Sequence, residues 1–347
     1  MKKPFSKICL IAAIIMAAAA CQQTPAVPAE SSEPVPQQEP APAVITSENA
    51  ASLKSVYSAS VNNGAVYATW TADSSSVWIE DGFSAILYDS TTGEMITQFN
   101  PGEYAAIYDV SPNGKTAVYS PDGLEIRLYD VLAQVDTLTI IPDFPYSSVF
   151  FNNDGSLLGA ASLMDIKIVT WDTASGLETG SLSGFGTAAP VYNARFGSDG
   201  KTLLWFSRGT VQPMDIATQE MGPTLSHEDF VTTRQISPDG KVIGTTATAM
   251  IGDDIQPVLT LWDANSGEIL RQNANPSYFS SIAFSPDSSL LAAGTETGIL
   301  LITVPHGDEL FSFDSTEVIN SIAFSPDGVK LITCGNEGTI NIYAVSE

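Results

Sequence analysis

A short turn that recurs seven times predicts an all-β fold: a seven-bladed β-propeller of four-stranded antiparallel blades. The best copies are Ser237-Pro238-Asp239-Gly240 and Ser325-Pro326-Asp327-Gly328. Close variants are Ser111-Pro112-Asn113-Gly114, Asn152-Asn153-Asp154-Gly155, Gly197-Ser198-Asp199-Gly200 and Ser285-Pro286-Asp287-Ser288, and Thr71-Ala72-Asp73-Ser74 departs furthest. Their third positions, 73, 113, 154, 199, 239, 287 and 327, are spaced 40, 41, 45, 40, 48 and 40 residues apart. A period of that size, with several strands per unit, marks a propeller. From residue 51 onward no helical periodicity is present, and β-branched runs broken by Gly, Pro, Asp and Asn read as strands and hairpins.

The last unit shows the strand order most plainly. Ile319, Ile322 and Phe324 mark its first strand, Leu331, Ile332 and Cys334 its second, and Ile340, Ile342 and Tyr343 its third. The fifth unit continues through Leu259-Thr260-Leu261-Trp262-Asp263 and the turn Asn265-Ser266-Gly267 to a fourth strand, Glu268-Ile269-Leu270. The last unit stops short of that strand. Leu53-Lys54-Ser55-Val56-Tyr57, ahead of the first turn, can supply it. Such pairing closes the ring and leaves no long open sheet edge. Pro213, on the third strand of unit four, removes one ladder donor.

These units resemble the WD-repeat family. Trp171-Asp172 and Trp262-Asp263 close third strands, with Tyr88-Asp89, Tyr129-Asp130 and Met214-Asp215 as degenerate copies. Turns of the type Thr173-Ala174-Ser175-Gly176, Ala264-Asn265-Ser266-Gly267 and Ser90-Thr91-Thr92-Gly93 follow. The family's Gly-His pair is approached only by Ser226-His227, ahead of Pro238. The resemblance therefore implies a His–Ser/Thr–Asp–Trp hydrogen-bond network in one blade at most. It covers about residues 51–347 and implies closure of the last blade by the N-terminal strand.

The chain ahead of the repeats reads differently. Lys2, Lys3 and Lys7 precede an uncharged run, Ile8 to Ala20, of 13 residues, too short to span a bilayer. Residues 1–20 are expected to be a signal peptide. The ending Ala18-Ala19-Ala20-Cys21 resembles the bacterial lipoprotein box, although Ala18 stands where that family usually has Leu. The resemblance implies a diacylglyceryl group, and with it palmitate-type acylation, on Cys21. Cleavage after Ala20 without a lipid, giving a secreted soluble protein, is the alternative. Residues 21–50 carry Pro25, Pro28, Pro34, Pro36, Pro40 and Pro42 among Ala, Gln, Ser and Glu. They read as a disordered tether leading to a propeller at 51–347.

Composition bounds the partners. Fourteen Lys and Arg against 39 Asp and Glu give a net charge of −25. Nucleic acid needs a basic footprint and is excluded as a partner; a membrane is reached only through the lipid on Cys21. A basic protein or peptide partner is favoured. Of three cysteines, Cys9 lies in the signal and Cys21 takes the lipid, so Cys334 is left as a lone thiol, expected to be buried and inert. The ring is expected to be a monomer.

No catalytic motif emerges. There is no Gly-x-Ser-x-Gly elbow, His-Glu-x-x-His, phosphate-cradling Gly-rich loop or EF-hand loop. His227 fits the structural Gly-His slot, and His306 falls in a turn of blade six. No catalytic residue, metal ligand or cofactor is expected. One pattern stands out. Two sets of loops share one face of a propeller: those before each first strand and those between second and third strands. The first set holds Tyr104, Phe144, Tyr146, Phe185, Phe230, Tyr278 and Phe279; the second holds Glu80, Asp81, Asp122, Asp165, Asp253, Asp254, Glu296 and Glu337, with Arg208 as its one base. Aromatic anchors within a charged rim suit protein capture. The competing reading turns the aromatics inward as packing between blades and leaves the acids as hairpin caps.

Two functions compete. One is a non-enzymatic binding or scaffold module on an envelope membrane. The other is a propeller enzyme, or a ligand- or metal-binding propeller of lactonase-like or quinoprotein-like type, with its site in the central channel. The latter needs polar residues on the inner strands. Ile282-Ala283-Phe284 and Ile322-Ala323-Phe324 are apolar and speak against it.

Overall fold

The computed structural model describes residues 42–61, 67–81, 84–102, 104–162, 167–183, 193–207 and 209–345. The signal peptide, most of the tether, Cys21, Asp165, Phe185 and Arg208 lie outside the described residues. Among the described residues, 28 strands form seven four-stranded antiparallel sheets. In six blades the strands follow chain order from the inner strand outward. In blade seven the order is Leu53–Ser60, Thr339–Val345, Lys330–Gly335, Ile319–Phe324, so the first strand of the chain completes the last sheet. Its pairing runs from Leu53 opposite Val345 to Ser60 opposite Thr339. The expected closure is present.

Seven clusters of buried side chains make the core, one at each blade-to-blade interface. Each sheet therefore buries both faces. This explains why second and third strands read as nearly continuous apolar runs. The interface between blades six and seven also takes in Ile45, 1% exposed, and Ala50, fully buried. Ile45 N–H donates to Gly328 O at 2.9 Å. The packed domain thus begins ahead of residue 51, where the sequence placed the tether, because one aliphatic side chain in that polar stretch finds a place under the closing strand.

Outside blades three and four, the signature turns share one hydrogen-bond design. In blade five the Ser237 hydroxyl donates to Asp239 Oδ1 at 2.6 Å, while its Oγ accepts Val242 N–H at 3.0 Å and Asp239 Oδ1 accepts Lys241 N–H at 3.1 Å. Gly240 follows at φ +74°, the left-handed region where a Cβ is disfavoured. Ser74 and Ser288 occupy that position in blades one and six at φ 61° and 64°. Each returns something for the strain. Ser288 Oγ accepts Asp239 N–H from blade five, and Ser74 Oγ accepts Asp327 N–H from blade seven, both at 3.1 Å.

Blade four is irregular where Pro213 interrupts its third strand. Gly222 N–H still donates to Pro213 O at 2.9 Å, and the missing donor is replaced by the Gln212 side chain, whose Nε2 donates to Gly222 O at 2.6 Å. The outer strand shrinks to Leu225–Ser226. Blade five is irregular in the other direction. Its second and third strands, Val242–Ile251 and Asp254–Asp263, have ten residues each and pair to the hairpin tip.

Candidate functional site

The loop face divides into residues that reach solvent and residues that do not. Tyr104 is 90% exposed, and Phe230 and Tyr278 are 54% exposed. Phe144, Tyr146 and Phe279 are buried, which corrects their placement on a binding surface. Tyr146 and Phe279 open their inner strands directly before a β-bulge, between Tyr146 and Ser148 and between Phe279 and Ser281. The extra residue turns the side chain into the interface between blades. The Tyr146 hydroxyl is tied to Ser120 Oγ and Glu125 O, each at 2.9 Å. Phe144 stacks on Trp171 at 6.4 Å and carries Lys167 Nζ 4.2 Å above its ring.

The acids divide likewise. Asp81 is buried, and its carboxylate accepts Ser84 N–H at 2.7 Å, a hairpin cap. Asp122 caps its own turn through Leu124 N–H at 2.8 Å. Asp253, Asp254, Glu296 and Glu337 are exposed. Asp253 and Asp254 sit at the tip of the long blade-five hairpin, flanked by exposed Met250, Ile251 and Ile255. The hairpin is braced from below: Asp229 Oδ2 accepts the Thr248 hydroxyl at 2.6 Å and Glu228 Oε2 accepts Met250 N–H at 3.1 Å. The 48-residue interval between turns five and six was the sequence signal for this arm.

The histidine slot is partly formed. Trp262 Nε1 donates to buried Thr245 Oγ1 at 2.7 Å, and the His227 ring meets the Trp262 ring edge-on at 5.2 Å. His227 Nε2 is buried without a hydrogen-bond partner, and burial pushes its pKa down to about 4. Elsewhere the Asp of each Trp-Asp-like pair caps its own turn. Asp172 Oδ1 accepts Ser175 N–H at 2.8 Å, and Asp263 Oδ1 accepts Ser266 N–H at 2.8 Å. The Ser175 hydroxyl, 2.6 Å from Asp172 Oδ1, together with the Ser175 N–H, and for Asp263 the backbone N–H groups of Ser266 and Asn265, hold both carboxyls below the ordinary carboxylate range. His306 is exposed in its turn, and Cys334 is fully buried, with burial pushing its thiol pKa up.

The central channel holds what sequence reading missed. The residue two places before each signature turn is Thr69, Asp109, Phe150, Arg195, Gln235, Ala283 and Ala323 in blades one to seven. The apolar pattern of blades six and seven therefore does not extend to blades one, two, four and five. The first five of these residues line a cavity of about 280 Å³ whose rim includes Pro112, Asn153 and Ser198 from signature turns. The cavity thus belongs to the turn face, opposite the loops. Asp109 Oδ2 accepts Phe151 N–H from blade three at 2.8 Å, and its Oδ1 accepts Val110 N–H at 2.8 Å. Burial still raises its pKa to about 6. Glu80, also half-buried, rises to about 7 through burial and the neighbouring Asp109. Arg195 reaches Tyr67 of blade one, and both Tyr67 and Asp109 favour its charged form. Aligning the turns and reading two residues back would have exposed this ring. Among the described residues no group of three or more His, Cys, Asp or Glu could hold a metal ion.

Comparison with known proteins agrees with the blade pattern. The family model "WD40: WD domain, G-beta repeat" matches residues 307–344, from the last turn of blade six through blade seven. The combination supports a WD-repeat propeller. Echinoderm microtubule-associated protein-like 2 of Homo sapiens is 33% identical over 89 residues, 25% of this chain and 14% of that protein. Meiotic recombination protein rec14 of Schizosaccharomyces pombe is 27% identical over 158 residues, 45% of this chain and 47% of the relative. Small ribosomal subunit protein RACK1 of Trypanosoma brucei brucei is 30% identical over 142 residues, 38% of this chain and 42% of the relative. The chain therefore spans less than half the length of each of these relatives.

Proposed function

We propose that this protein is a non-enzymatic scaffold that captures a basic protein partner on the loop face of its propeller. WD-repeat relatives support a protein-interaction role. The observation that carries the reading is the blade-five arm, a braced hairpin with Met250, Ile251 and Ile255 exposed beside Asp253 and Asp254. Phe230 and Tyr278, on the loops before the first strands of blades five and six, are exposed as well. Apolar anchors ringed by carboxylates gain affinity from burial and selectivity from charge. Tyr104 stands in blade two and forms a second contact point.

The lipoprotein-like ending at Cys21 supports a location on a bacterial envelope membrane, with the lipid as the only membrane contact and the Pro-rich segment as a spacer. Two measurements test this. Crosslinking and capture from native membranes compares wild type with a Phe230→Ser, Tyr278→Ser, Ile255→Ser variant; identical partner lists sink the loop-face assignment. Membrane fractionation of a Cys21→Ser variant tests the anchor: release into the aqueous fraction is expected, and an unchanged membrane association removes it.

A further inference from the structure

We propose that the channel cavity is a binding site for a small organic monocarboxylate, gripped by Arg195 with Arg234 behind it. Acids outnumber bases 39 to 14 in this chain, yet the ring interior places two guanidiniums close enough to repel each other. Among the described residues the ion pairs fall on Arg127, Lys167 and Lys241, and none falls on Arg195 or Arg234. These two guanidiniums come from neighbouring inner strands. Arg234 is 7% exposed, donates Nη2 to Asn193 Oδ1 at 3.0 Å, and lies 4.0 Å over the Phe206 ring. Its Nε is buried with no partner. A buried cation without a counter-charge costs several kcal/mol.

The carboxylates at hand do not discharge this. Asp109 lines the cavity and favours the charge on Arg195, but it makes no ion pair with either guanidinium, and its oxygens accept the backbone N–H groups of Val110 and Phe151. Burial also pulls Asp109 and Glu80 toward their neutral forms, which limits the negative charge facing an incoming anion. Arg195 and burial both act against the charge on Arg234. A bound anion would offset the repulsion that Arg195 exerts on Arg234.

The walls narrow the ligand class. A carboxylate matches the planar guanidinium fork with two parallel hydrogen bonds. Phe150 and Phe196 offer an apolar surface for the rest of the molecule, and the Gln235 and Asn153 amides sit at the same cavity. A multiply charged anion would leave the aromatic wall unfilled and would face Asp109. The volume of about 280 Å³ admits a small molecule and not a folded partner.

Benzoate and its neutral isostere benzamide are suitable probes, titrated against the purified mature chain by calorimetry and thermal melting in low-halide buffer. Benzoate is expected to bind and raise the Tm, with benzamide and inorganic phosphate weaker by roughly tenfold or more. Arg195→Gln should weaken benzoate by a similar factor. Arg195→Lys keeps the charge but loses the fork, and should fall between the two. Equal affinity for benzoate and benzamide, no binding of either, or unchanged affinity in Arg195→Lys overturns the site. Tighter phosphate than benzoate overturns the carboxylate assignment.

Discussion

Blades six and seven and blades two, four and five are built from the same strands and turns, yet their inner strands do different work. In the first pair, Ser281 Oγ accepts Ile322 N–H at 3.2 Å and Ser321 Oγ accepts Ala68 N–H at 3.1 Å, so each blade laces to the next through a small hydroxyl. Ala283 and Ala323 follow, and the strands read as fold and nothing else. In the second group the same ring position carries Asp109, Arg195 and Gln235, charged or amide groups held where water is scarce. A repeat that is regular reports packing. A repeat that departs from its neighbours, at a cost in desolvation, marks where the molecule does something besides folding.

The largest test strikes the regular half. Deleting residues 51–58 removes most of the strand that pairs with Thr339–Val345 and uncovers its edge. Loss of the folded state or aggregation is expected, read by light scattering and circular dichroism; a monomer with an unchanged Tm would refute closure. Next comes Glu80 of blade one, beside Asp109 of the irregular group. Its folded pKa of about 7 lies above the ordinary glutamate value of 4.5, so the folded state keeps a proton that the unfolded chain gives up. That contribution is complete below pH 4.5 and is lost as pH rises through 7, and Asp109 acts the same way from 3.8 to about 6. Glu80→Gln should therefore recover about 3 kcal/mol at pH 8 and less than about 1 kcal/mol at pH 5, measured by urea unfolding at both. An equal effect at the two pH values would show that Glu80 is not the titrating group.

Two smaller effects sharpen the contrast. Gln212→Ala leaves Gly222 O without its substitute donor and should cost about 1 kcal/mol. No loss would mean that water serves blade four as well as the side chain does. Ser288→Gly relieves a positive φ but removes the hydrogen bond from Asp239 N–H, so a net change within about 0.5 kcal/mol is expected. A clear gain in Tm would show that the link between blades five and six adds nothing.

Much of the fold was legible because it rests on local chemistry. The turns announce themselves through Ser, Asp and Gly, and the closing strand through its alternation ahead of the first turn. Pro213 and His227 sit where their sequence offsets place them. The site was less legible, because a side chain's direction depends on pleat and bulge as well as on loop position. Tyr146 and Phe279 look like loop aromatics until a single extra residue rotates them into the core. Ile45 looks like a tether residue until its pocket under blade seven is seen. The channel ring was hidden for a different reason: one polar residue in an apolar strand carries no periodicity, and only superposing the repeats reveals it.

The closing strand also sets an order of events. Leu53–Ser60 is the first strand of the ring to be made, while its partner Thr339–Val345 is the last. The first strand must therefore wait, unpaired, for most of the chain to arrive. Blades one to six can assemble as they appear, but the ring stays a slow, non-local reaction whose open form exposes strand edges on both sides. A protein built this way depends on whatever shields that first strand until the last one reaches it.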